Sequence, residues 1–237
     1  MKQTSFFRSL LLILVVATAT WAQTSLNYGF VSPNTQVNLK LDDAIKGMRS
    51  TEETRLVKQS INLGCVVRSR IRAFRGLGSW TDGAEPSVMV RVQSDESTVR
   101  YLLSRLGRDW RQKSVLYFHP TPDGAAQLYT LQPRKPMRNL TAIATALDRA
   151  GIEFRTLVPV KSGTWIYIVD LKRELRAKVM AAAKRLRANV DTRSGNAAFI
   201  ENYDEEIRNY EVKNPNLPPT CDMGHKKAQK SQKAQGN

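Results

Sequence analysis

The residues best suited by type and spacing to do chemistry are basic. Arg68, Arg70 and Arg72 recur at every second position, the period that sends side chains from one face of a strand at intervals of about 7 Å. That interval approximates successive phosphates on a nucleic-acid strand and also suits other polyanions. Arg91, in the apolar run from Val88 to Val92, extends the row if the two segments pair. Further along, Lys172, Arg173, Arg176, Lys178, Lys184, Arg185 and Arg187 stand against Glu174 alone, whereas an ordinary solvated helix face mixes both signs. The candidate polyanion-binding residues are therefore Arg68, Arg70, Arg72, Arg91, Arg173, Arg176, Lys184, Arg185 and Arg187. The competing expectation is that the arginine row lies on a sheet face covered by a helix and pairs with carboxylates such as Glu52 and Glu53.

Catalytic groups are scarcer. Histidine occurs only as His119, at the end of a β-like run, and His225 in Cys-Asp-Met-Gly-His near the C-terminus. Neither has a partner set that suits a triad or a metal. Phosphate-binding loops, nucleophile elbows and dinucleotide fingerprints are absent from the sequence. Asp82, Glu85 and Asp95 cluster near Trp80, and paired carboxylates can do acid–base work. However, Asp82-Gly83 suits a hairpin turn and Asp95 suits a helix N-terminus. No catalytic residue, cofactor or metal ligand is expected from these patterns, and a carboxylate-based secreted hydrolase near residues 80–85 stands as the alternative.

The address of the chain bears on its partners. Lys2 and Arg8 precede the apolar run Leu10 to Ala17, which gives way to Thr20-Trp21-Ala22, the order of charge, apolar core and small residues that marks a cleavable secretory signal. The reading is residues 1–22 as a signal peptide and a working chain that is periplasmic or extracellular. Outside the cytosol two cysteines can persist as a bridge, so Cys65 and Cys221 are the candidate disulfide. The full chain holds 37 Lys plus Arg against 21 Asp plus Glu; removing Lys2 and Arg8 with the leader leaves about +14. The expected partner is an anionic polymer (cell-wall, glycan or nucleic acid) or an acidic protein, and an envelope-assembly role is a further alternative. No later run is apolar enough to span a membrane.

The elements that must hold these residues follow from periodicity. Residues 23–40 lack a clear period and read as a loose segment. Leu41, Ala44, Ile45 and Met48 recur at helical spacing, and Ser50 with Glu53 has the spacing of a capping box. That second helix is expected to stop at Gly64, with a strand from Cys65 to Ala73 carrying the arginine row. Gly76 to Gly83 reads as a turn-rich connection to Val88–Val92.

From Ser94 onward, helix, strand, turn, strand recurs three times, with Gly124, Gly163 and Gly195 at the turns. This predicts one α/β domain of the α+β type over 41–212. Its sheet would be mixed or antiparallel, built from degenerate β-α-β repeats with β-hairpins, and helices would pack on it. A division near Gln132 to Pro136 is the place where it would split. The Lys-rich segment 213–237 has too few apolar residues to offset its ordering entropy and reads as a disordered tail.

Overall fold

The computed structural model describes residues 25–32, 39–48, 50–80 and 83–217. The signal peptide, Asp82, Cys221 and His225 lie outside the described residues.

Eight strands close into one antiparallel barrel. In chain order they are β1 (Ser25–Val31), β2 (Arg70–Trp80), β3 (Gly83–Ser94), β4 (Val115–Pro120), β5 (Ala126–Pro133), β6 (Arg155–Val160), β7 (Gly163–Asp170) and β8 (Ala188–Ile200). The helices are α1 (Leu41–Gly47), α2 (Thr51–Val66), α3 (Glu96–Asp109), α4 (Leu140–Asp148), α5 (Arg176–Leu186) and α6 (Tyr203–Lys213). Around the barrel the order is β1-β3-β2-β6-β7-β5-β8-β4. Each half of the chain therefore contributes four neighbouring strands with the same local order, β4-β1-β3-β2 and β8-β5-β7-β6. The halves meet where β2 pairs with β6 and β4 with β8.

This overturns the expected sheet of three β-α-β repeats with helices packed on it. The wall is a closed barrel with no free edge, and its repeating unit is a half-barrel that occurs twice. Local periodicity is identical for an open and a closed sheet; closure depends on the two remote pairings, which leave no local signature. β4 and β5 do not form the expected hairpin either. Both pair with β8, on its opposite sides, and the connection between them crosses β8 at Gly195, where the backbone of Gly124 rests against it.

Consequently, β8 runs unbroken through the expected turn at Ser194-Gly195. The segment expected to be loose contains β1, whose Leu26, Tyr28 and Phe30 alternate into the barrel interior.

The end of α2 also differs from expectation. The helix continues past Gly64 to Val66, because Gly64 is a packing position: a Cβ there would lie 2.8 Å from Ile71 Cδ1. The chain then turns at Arg68, whose φ is 55°, with Ser69 N–H donating to Gly64 O and Arg68 N–H to Cys65 O. This is the paired bonding of a Schellman end. Cys65 is thus a helical residue and not the first residue of a strand; its candidate disulfide partner Cys221 lies outside the described residues.

Apolar side chains divide into three groups. One contains only strand residues, among them Tyr28, Met89, Phe118, Leu128, Val158 and Tyr167, and fills the barrel. A second joins α2, α3 and α6 to the outer wall of the first half. A third joins α1, α4 and α5 to the outer wall around β5, β6 and β7. None of the helices in the described residues is long and apolar enough to cross a membrane.

Candidate functional site

An eight-stranded barrel is just wide enough either to be filled by side chains or to hold one small ligand. Here the interior is filled on one side and hollow on the other. The hollow begins with Gly78 on β2, which stands opposite Glu85 on β3. A Cβ at Gly78 would lie 3.3 Å from Glu85 Cγ and from Ser87 Cβ, so glycine leaves space beside the carboxyl. Ser32, Ser87 and Thr156 are likewise small, and with Phe30, Leu116, Tyr167, Val169 and Phe199 they bound a cavity of about 630 Å³. Arg111, Lys113 and Glu201 stand exposed at its rim.

Glu85 is the carboxyl set into this wall; Arg155, which also borders the cavity, is paired with Asp148 at 2.6 Å. Ser32 Oγ donates to Glu85 Oε1 at 2.5 Å, and Ser32 is fixed in turn by its backbone N–H, which donates to Gln112 Oε1 at 3.1 Å. Burial pushes the Glu85 carboxyl above its ordinary value of 4.5, opposed only in part by the Ser32 hydrogen bond. Among the described residues no cation pairs with it. A carboxyl raised by desolvation inside a cavity can donate a hydrogen bond when protonated and take a proton when ionised. Tyr167, also in the wall, is raised to about 12, chiefly by burial, so its hydroxyl stays a neutral donor and acceptor.

Of the carboxylates grouped near Trp80 in the sequence, Glu85 and Asp95 do not cluster. Asp95 caps α3, its Oδ1 accepting from Thr98 N–H at 3.0 Å and from Ser97 Oγ at 2.6 Å, while Glu85 faces the cavity from the opposite end of β3. His119 is structural: its Nδ1 lies 2.6 Å from Asn27 Oδ1, whose amide nitrogen donates to the Ser94 carbonyl at 2.8 Å. Tyr117, Tyr129 and Tyr167 are buried, so none offers an exposed stacking surface. No group of three metal-ligating side chains occurs among the described residues.

The expected arginine row is divided. Arg68 sits in the turn after α2, while Arg70 and Arg72 are exposed on β2. Ile71 and Ala73 pack toward the helix-covered outer wall, so Arg70 and Arg72 share the face of Phe74, which packs on the barrel interior. Of the suggested covering carboxylates, Glu53 does not meet them; it is buried and accepts from Ser50 Oγ. Arg91 is half-buried, its guanidinium 4.9 Å from the Phe74 ring centre.

The other basic cluster lies on and around α5. Arg176, Lys184 and Arg185 are exposed on the helix, Arg187 ends it with φ 48°, and Arg173 donates to the Gly124 carbonyl. The cavity residues missed at the sequence level come from seven strands far apart in the chain. Their one local signal was the occurrence of Gly76, Gly78 and Ser87 at alternate, inward positions of a β-rich run.

No protein-family profile matches the chain, and no curated protein matches it. A crystal structure of a protein named "Putative monooxygenase", from Fusobacterium nucleatum subsp. nucleatum ATCC 25586, is similar over 75% of this chain and 94% of that one, with 9% identity and a TM-score of 0.24. A likeness of that degree carries no argument about this chain.

Proposed function

We propose that the barrel is a receptor for a small, largely apolar molecule, with Glu85 as the proton-exchanging group that meets the polar end of that molecule. The observation that carries this reading is the unpaired Glu85 carboxyl in the wall of a 630 Å³ cavity otherwise bounded mainly by apolar and hydroxyl side chains. Ligand pockets of small molecules span about 300–1,000 Å³ and combine an apolar lining with a few polar groups. A polymer chain does not fit inside such a space, so the ligand class is small molecules.

N-phenyl-1-naphthylamine, a neutral probe whose fluorescence rises in apolar surroundings, tests the reading without interference from the net charge. Leu116→Trp narrows the cavity from a half-buried wall position and is expected to weaken probe binding at least about tenfold, a loss of roughly 1.4 kcal/mol. Equal affinity in wild type and Leu116→Trp would place the probe elsewhere and remove the reading.

A second reading concerns the outside of the molecule. The exposed basic residues of α5 form no ion pair among the described residues, which favours a role for this face in holding an exported protein on an anionic polymer or an acidic protein. Replacing Lys184, Arg185 and Arg187 together by Ser is then expected to lower the salt concentration of elution from heparin. Unchanged elution would end this second reading.

A further inference from the structure

We infer that the arginine-bearing part of the barrel is a binding site for one compact oxyanion, a phosphate or carboxylate group, held by Arg72, Arg91 and Arg193. This inference is independent of the reading of Glu85.

It starts from a conflict in the fold. Arg72 and Arg91 are direct cross-strand partners, which puts two positive side chains on one face at a Cα separation of about 5 Å, a destabilising arrangement for like charges. Tyr28 is the partner of Arg91 on the other side. The Arg193 guanidinium lies 5.9 Å from the centre of the Tyr28 ring, and Arg91 and Arg193 both act on the Tyr28 and Tyr167 hydroxyls. β3 and the remote β8 thus deliver guanidinium groups toward the same pair of tyrosines, and Arg72 stands beside Arg91 on the same inward face.

The available counter-charge is insufficient. Asp191 accepts from Arg193 Nε at 3.1 Å and is itself exposed, while Arg72 and Arg91 pair with no carboxylate among the described residues. Arg91 Nε is buried with no hydrogen-bond acceptor in the described residues. An orphaned, desolvated guanidinium N–H costs more than a made hydrogen bond returns. An oxyanion corrects both defects: it accepts from Arg91 and screens the Arg72–Arg91 repulsion, and planar guanidinium groups match oxyanion geometry. The site takes a single anionic group, because it is assembled on the inner face of the barrel wall and not along an extended groove.

The test is thermal unfolding of the full chain in inorganic phosphate against chloride at equal ionic strength, so that general screening cancels. Wild type is expected to gain about 3 °C in midpoint at tenfold excess over the phosphate dissociation constant. Arg91→Ser and Arg72→Ser are each expected to lose most of that gain, whereas Lys184→Ser with Arg185→Ser keeps it. Arg72→Ser, at an exposed position, covers the case in which Arg91→Ser fails to fold. In phosphate-free buffer Arg72→Ser is expected to be no less stable than wild type, since it removes repulsion. No gain over chloride, or a gain retained in Arg72→Ser and lost in the α5 variant, would overturn the assignment.

Discussion

Glu85 is where a single side chain carries the most chemical weight, because burial opposes its charge and only Ser32 supports it. The sign of the resulting pH dependence is fixed. A carboxyl whose folded-state value is raised binds more protons folded than unfolded once the pH passes the ordinary value of 4.5, so its contribution to stability is full below that point and is lost as pH rises through the folded value. Relative to Glu85→Gln, which cannot titrate, wild type should therefore lose stability across that window, with a limiting slope of about 1.4 kcal/mol per pH unit. Urea unfolding of both proteins at a series of pH values measures this; a difference that stays constant with pH would mean that Glu85 is not desolvated. The sequence made Glu85 visible as one of three carboxylates near Trp80, but it could not separate them. Asp95 was legible as a helix cap because capping is local, whereas the role of Glu85 depends on Gly78 facing it across the hairpin and on Thr156 arriving from the other half of the barrel.

Elements were legible wherever their signal was local. The strand pair β6–β7 turns where expected, at Lys161-Ser162, with Gly163 already paired in β7, and Asn139 caps α4 by accepting from Ala142 N–H at 3.0 Å. Glycine misled where it serves packing. Gly64 reads as a helix stop and Gly195 as a turn, yet one lies inside α2 and the other inside β8. The two kinds of close approach predict different penalties. A Cβ at Gly29 would meet the Leu103 side chain at 2.2 Å, which can change rotamer, whereas a Cβ at Gly195 would meet the His119 carbonyl oxygen at 2.3 Å, which is held in the β4–β8 ladder. Gly29→Ala is expected to cost about 1 kcal/mol and Gly195→Ala about 3 kcal/mol, within the range for overpacked sites. Equilibrium unfolding resolves the difference, and equal penalties would contradict the close approach of Gly195 to the β4 backbone.

For the whole molecule, closure decides what the protein can hold. Ser32, Gly78 and Glu85 come from the first half-barrel and Thr156, Tyr167 and Phe199 from the second, so the cavity exists only after the β2–β6 and β4–β8 pairings form. The sequence conveyed strand and helix content and a net charge of +16, and charge of that size speaks of partners on the outside while saying nothing about an interior. The cavity was hidden because an inward glycine or serine reads, in one dimension, as a turn. The most direct test of a ligand-holding barrel is methyl NMR of the full chain titrated with N-phenyl-1-naphthylamine. The account predicts saturable shifts at Leu116, Thr156 and Val169 in the cavity wall, with Leu171 and Val212, which are exposed on the outside, unmoved. Shifts confined to Leu171 and Val212, with the cavity methyls unchanged at saturation, would contradict it.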